Sequence, residues 1–229
     1  MGSGDGRRGV RLVAGSCQWP RDVDGTLERV SGETLRVGVS EADPWVRLEG
    51  SEPSGVEVEL VRRLARELDA AVEWVEGSTA ELVEGLERGA LDVAVAGFTA
   101  DEPWTQKVTF TRPYLHTRTV VAVPPGSARV DSVEGVEVAV ERNSEHMGLV
   151  LDEDGRPRVV DDPGTAKGPV VFENWRVADL ALEASAVMLH QDERVMAVRM
   201  GENAWLTTVE RFLMGHEQAD IADLARDAA

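Results

Sequence analysis

The residue types in this chain that are suited to chemistry are scattered, not assembled. Four histidines, His116, His146, His190 and His216, stand far apart with no HxxxH or HxxE spacing, so they lack the clustering a zinc site needs. The single cysteine, Cys17, lies outside the patterned part of the chain and is no cleft nucleophile. Carboxylates are so abundant that pairs such as Asp161 and Asp162 arise by chance and read as a solvated loop. No glycine-rich phosphate loop of the Walker type occurs. What remains are groups that hold a molecule without transforming it. Gly97 either admits close backbone approach or relieves a tight turn. The Thr99 hydroxyl both donates and accepts. Trp45 and Trp104 offer large aromatic faces, and Asn143 and Ser144 stand at a helix start, where free N–H groups attract anions. No catalytic constellation is assembled among these residues, and none that would hold a metal or a cofactor.

The elements that must position these groups are legible from periodicity. Leu35, Val37 and Val39 alternate with polar or small residues, which predicts a strand from Thr34. Leu60, Leu64 and Leu68 recur four apart with Val61 and Ala65 beside them, a helix with one buried stripe. Val72 and Trp74 mark a second strand, in which Trp74 packs. Ser78 is placed to cap a helix carrying Leu82, Val83 and Leu86, and Gly89 to end it. Leu91 to Ala96 is a near-continuous apolar run, as in a parallel strand covered on both faces. Strand, helix, strand, helix, strand implies a doubly wound α/β unit. Ligands of such sheets sit beyond the carboxyl ends of the strands, here the loop with Trp45 and the loop Gly97, Phe98, Thr99.

Further along, Val120 to Val123 reads as a strand running into a crossover, and Val136 to Glu141 opens a new unit. Asn143 and Ser144 are placed to cap a short helix through Leu151. A second helix is expected near Asn174 to Ala184, a strand at Ala186 to Leu189, and a return at Val195 to Met200. The tail GENAWLTTVERFL predicts a helix burying Trp205, Val209 and Phe212.

The balance of 42 acidic against 24 basic residues gives a formal charge of -18. That excludes the clustered Lys and Arg of a nucleic-acid binder. With one cysteine there is no intramolecular disulfide, and no run reaches the ~20 apolar residues of a membrane helix. The stretch RLVAGSCQW resembles the end of a bacterial lipoprotein signal, although an apolar segment of about 7 to 15 residues before it is missing. Cys17 is therefore either a lipid anchor or an ordinary residue of a leader.

The order of motifs resembles one family. A strand followed by PW, then GVEVEL opening a helix, then L-x-x-G-x-x-D, then AGFT and FTRPY, is similar to the first lobe of bacterial extracellular solute-binding proteins of family 3, the polar amino acid branch of the type II periplasmic-binding fold. The resemblance implies a two-lobed α/β fold with a shortened second lobe. Residues 1–33 would be leader and linker, 34–123 with 193–229 lobe 1, and 124–192 lobe 2. It implies a monomeric extracytoplasmic receptor that closes by a hinge on a small polar solute and delivers it to an ABC permease.

In relatives, the positions of Ala96, Gly97 and Thr99 present backbone groups and a hydroxyl to the ligand, with Phe98 between them. Trp45 is then a cleft wall or core. Trp104 stands where relatives carry a carboxylate-clamping Arg, and either stacks on the ligand or folds back on its own lobe. Arg112 and Arg118 are candidate substitutes for that guanidinium, with solvation as the alternative for Arg112. Asn143 and Ser144 occupy the place of a helix-start pair on the second lobe, with ordinary capping as the alternative for Ser144. His190, followed by Asp192, stands where relatives place an ammonium-binding Asp; it is either a ligand contact or a solvated surface residue. Two rival functions remain on the same fold. One is a dehydratase of the cyclohexadienyl or arogenate kind, needing a cleft acid such as Glu41, Glu59 or Glu102. The other is a ligand-sensing module.

Overall fold

The structure is a computed structural model that describes residues 20–142, 144–177 and 180–227. Cys17 and Asn143 lie outside the described residues.

The first sheet is laid down by the segments whose periodicity is clearest. Helix α1 (Thr26–Val30) precedes strand β1 (Thr34–Val39), followed by α2 (Val56–Glu67), β2 (Ala71–Glu76), α3 (Thr79–Glu87), β3 (Val93–Val95) and β4 (Val108–Phe110). Strands β1, β2 and β3 run parallel, as the doubly wound pattern requires. Ser78 caps α3 in a full capping box with Glu81. Gly89, at φ 68°, takes the left-handed turn that ends the unit.

The second sheet contains β5 (Leu115–Val123), β6 (Glu137–Glu141), β7 (Arg156–Val160), β8 (Val170–Glu173) and β9 (Glu183–Arg194), with α4 (His146–Asp152) between β6 and β7. The chain then returns through β10 (Ala197–Arg199) to α5 (Asn203–Met214) and α6 (Gln218–Asp227). The sheet orders are β2-β1-β3-β10-β4 and β7-β6-β8-β5-β9.

Four sequence expectations are corrected. First, the stretch expected as linker is structured from Asp22 onward. Val30 is fully buried in the first core, and the Glu202 carboxylate accepts the Asp24 and Thr26 N–H groups at 2.9 and 3.0 Å. Second, β5 was expected to finish lobe 1 but belongs to the second sheet, where it pairs antiparallel with β9 from Leu115↔Arg194 to Val123↔Glu183. The chain therefore crosses before Leu115. Third, no helix occupies 174–177; these residues form a turn, and the segment after it enters β9 at Glu183. Fourth, Ser144 does not cap α4: its hydroxyl donates back to the Glu141 carbonyl at 2.8 Å, and Glu145 is the capping position without a side-chain bond.

Packing explains why two sheets form one body. The core of the first sheet gathers the α2 stripe with Trp205, Val209 and Phe212 of α5 and Ile221 and Ala225 of α6. Trp175, from the turn after β8, is buried in this same cluster beside Trp45 and Tyr114. The second sheet is thereby anchored to the core of the first. Among the described residues no helix is long and apolar enough to cross a membrane.

Candidate functional site

Between the two sheets lies a cavity of about 620 Å³. Its first-sheet side is Ala42 to Trp45, Gly97 and Arg194; its second-sheet side is Glu141, Ser144 to His146, and Glu173 to Arg176. The loop after β1 and the loop after β3 thus meet here, at the carboxyl ends of parallel strands, as the doubly wound pattern implies.

Gly97 is the corner of the site. It sits at φ 64°, and a Cβ added there would fall 2.7 Å from Trp45 Cδ1 and 3.2 Å from Ala42 Cβ. The position therefore needs glycine both for conformation and for space. Its N–H donates to Glu57 Oε2 at 2.8 Å and its carbonyl accepts from Arg194 Nη1 at 2.8 Å. Trp45, 5 % exposed, lies under the Arg194 guanidinium, whose carbon is 4.8 Å from the ring centroid. It is at once core and cavity wall.

Arg194 and Glu57 are the residues that sequence reasoning missed. Arg194 ends β9, and its Nη2 donates to Asp192 Oδ2 at 3.0 Å while Nε reaches Thr117 Oγ1 at 3.4 Å. A guanidinium therefore does stand in the cleft, supplied by the returning strand and not by position 104. Glu57, in the first turn of α2, is fully buried, and its other oxygen accepts the Tyr114 hydroxyl at 2.7 Å. Burial pushes its carboxyl up to about 7, against the opposing pull of the Gly97 and Tyr114 hydrogen bonds and the Arg194 charge. The signal available for Glu57 was an acidic residue two positions after the glycine that opens α2, on the same face as Leu60, Val61 and Leu64.

The raised value has a thermodynamic consequence. Because the folded-state value lies above the ordinary 4.5, the Glu57 contribution to stability is complete below pH 4.5 and is lost as pH rises through about 7. The loss is on the order of 3 kcal/mol. Glu57→Gln keeps an acceptor for Gly97 and offers an amide N–H to the Tyr114 oxygen. Urea unfolding at stepped pH is expected to show this slope in the native chain and a flatter one in the variant. Parallel slopes would contradict the assignment.

On the second-sheet side, His146 is 6 % exposed, with Nε2 3.1 Å from Glu173 Oε1. Burial raises the Glu173 carboxyl, but the His146 hydrogen bond and charge outweigh it and hold the group below the usual range. Among the described residues, His146 Nδ1 and the Trp175 indole nitrogen are buried without a hydrogen-bond partner. Arg176 lies over the Phe172 ring at 5.2 Å, and its guanidinium donates no side-chain hydrogen bond among the described residues.

The other anticipated residues are distributed unevenly. Ser144 lines the cavity. Ala96 packs on the second hydrophobic cluster of the first sheet and lends a backbone hydrogen bond to Glu57. Phe98 is 1 % exposed in that cluster, its ring 5.6 Å from Phe110, so only its backbone faces β9, where its carbonyl accepts the Val195 N–H. Thr99 gives its hydroxyl to Asp101 and bridges Arg194 through the backbone. Trp104 packs back on the same cluster as Phe98 and is not among the cavity-lining residues. His190 bonds Asp192 Oδ1 at 3.0 Å and is likewise outside the lining, as are Arg112, which meets Glu210, and Arg118, which meets Gln191. Glu41, Glu59 and Glu102 are also outside it. Trp74 carries Arg62 over its face at 5.6 Å, consistent with packing. No group of three or more metal-ligating side chains occurs among the described residues.

Comparison with known proteins places this geometry. The model of the bacterial extracellular solute-binding proteins, family 3, matches residues 35–224. No curated protein matches the chain. Among solved structures, an ancestral cationic amino acid solute-binding protein is similar with a TM-score of 0.67 at 20 % identity, over 89 % of this chain and 97 % of its own. The L-cystine solute receptor of Neisseria gonorrhoeae, in its unliganded open conformation, gives 0.64 at 18 %, over 82 % and 89 %. The second substrate-binding domain of a putative amino acid ABC transporter from Streptococcus pneumoniae gives 0.64 at 15 %, over 85 % and 98 %. The fold is the two-lobed α/β fold of these neighbours.

Proposed function

Since the chain belongs to the bacterial extracellular solute-binding proteins of family 3, we propose that it captures a small polar solute, an amino acid or a related compound, between its two lobes for an ABC importer. The observation that carries this reading is the cavity lined from both sheets, with the Gly97 corner and Arg194 on one side and His146, Trp175 and Arg176 on the other. A guest touching both favours the closed arrangement and shifts a hinge equilibrium by its differential affinity. The structural likeness to an L-cystine solute receptor and to a cationic amino acid solute-binding protein supports the solute class.

Capture is favoured over turnover by the state of the acids. A dehydration needs a proton donor at the substrate, and Glu57, the carboxyl held near neutrality, has both oxygens engaged by Gly97 and Tyr114 below the cavity wall. Glu173, which does line the cavity, is held ionised by His146.

The test is a thermal-shift screen against amino acids, amines and small organic acids, followed by calorimetry on any hit. A solute at a hundred times its Kd raises stability by about 2.7 kcal/mol through mass action. A saturable shift with one-to-one stoichiometry and no product formed is the expected outcome. Release of a product from the bound compound would favour the enzyme instead, and a screen without any shift would count against capture.

A further inference from the structure

Within the solute-capture reading, on which this step rests, the hydrogen-bond inventory of the cavity narrows the guest further. At the Gly97 corner the acceptors are already engaged by the chain itself. The Gly97 carbonyl accepts from Arg194 Nη1, Asp192 Oδ2 accepts from Arg194 Nη2, and Asp192 Oδ1 is paired with His190. The Trp45 face is covered by the same guanidinium, and the Thr99 hydroxyl is turned to Asp101. Arg194 thus fills, with its own cation, the set of groups that an ammonium on the guest would need. The donors are in the opposite condition. Arg194 uses three of its N–H groups on Gly97, Asp192 and Thr117, which leaves one on each terminal nitrogen. Arg176 lines the cavity from the other sheet, where its charge acts on the Glu173 carboxylate but its guanidinium donates no side-chain hydrogen bond among the described residues. Toward the α4 side of the same cavity stand the exposed carboxylates of Glu141 and Glu145, which form no ion pair among the described residues.

We infer that the guest is a monocarboxylate without an adjacent ammonium, its carboxylate held by Arg194 and Arg176 and its far end a cation facing Glu141 and Glu145. The chemical class is an ω-amino or ω-guanidino carboxylate. Two guanidinium forks suit a planar carboxylate held from both sheets. An α-ammonium would have to displace Arg194 from Gly97 and Asp192 or lie against it, at the penalty of like charges in a partly desolvated site. A second carboxylate at the far end would meet Glu141 and Glu145, which disfavours dicarboxylates.

The experiment is calorimetry on the full chain with matched compounds: ε-aminocaproate against lysine and cadaverine, and δ-guanidinovalerate against arginine and agmatine. The acid lacking the α-amino group is expected to bind at least tenfold more tightly than its α-amino parent, and the diamine or agmatine, lacking a carboxylate, to show no saturation. Arg194→Gln is expected to weaken the preferred acid at least tenfold and to narrow its lead over the α-amino parent. Should Arg194→Gln fail to fold by circular dichroism, Arg176→Gln, on a half-buried turn residue, carries the test with the same expected loss of carboxylate affinity. Equal or tighter binding of lysine or arginine overturns the inference while leaving solute capture intact, as does unchanged affinity in a folded arginine variant. Failure of all six compounds overturns the inference; capture falls with it only if the broader screen is also silent.

Discussion

Gly97→Ala is expected to weaken binding of any solute that stabilises the native chain by roughly ten- to hundredfold, while leaving a folded protein. The residue sits at φ 64°, where a side chain costs about 1–3 kcal/mol of strain. The added Cβ would also meet Trp45 Cδ1 at 2.7 Å, far inside contact distance. Trp45 carries the Arg194 guanidinium on its face, so moving the ring moves the cation as well. The same backbone shift pulls the Gly97 N–H from Glu57 and its carbonyl from Arg194. Titration calorimetry and thermal melting on the same preparation separate affinity from stability. Native affinity in a folded Gly97→Ala protein would show that this corner is only a turn.

The second large effect lies away from the cavity. Asp92 is 2 % exposed immediately before β3, where its carboxylate accepts from the side chains of Arg29 and Arg36 and from the Arg36 N–H at 2.9 Å. Its backbone carbonyl also receives the Trp205 indole at 2.7 Å. Burial raises its carboxyl, but the Arg36 and Arg29 hydrogen bonds outweigh this and hold it below the ordinary range. The folded-state value being depressed, its stabilising contribution is present above the ordinary 3.8 and is lost as pH falls through the folded-state value. Asp92→Ala removes the shared acceptor of α1, β1 and β3. Breaking a buried ion pair costs about 3–5 kcal/mol, reduced here to roughly 2–4 kcal/mol because both arginines are about a third exposed and regain water. Urea unfolding at neutral pH checks the size. A loss under 1 kcal/mol would show the cluster to be a surface ion pair of ordinary weight.

How much of this was legible in the sequence depends on the reach of the interaction. The parallel half of the first sheet was readable because its signals are local: alternation in β1, the four-residue stripe of α2, the Ser78 cap and the apolar run of β3. The AGFT corner followed from where loops fall in a doubly wound sheet. The second lobe was harder, because the segment from Asn174 to Leu182 carries apolar residues that suit a helix, yet Trp175 is drawn into the core of the other sheet. The long β5–β9 ladder hid the crossing point, since pairing of Leu115 with Arg194 spans most of the second lobe. Arg194 itself was invisible for the same reason: nothing near it in sequence says that its guanidinium ends on Gly97 and Trp45. Trp104 illustrates the converse, a residue singled out by alignment of position whose ring is taken up by local apolar packing.

The account stands or falls on one guest touching both lobes. Hydrogen–deuterium exchange with and without a saturating solute from the screen tests this most directly. The prediction is simultaneous protection of residues 42–46 and 96–99 on one side and of 141–146 and 173–176 on the other. Protection confined to one of those sides, or centred on the outer groove around Arg158 and Lys167, would contradict capture between the lobes.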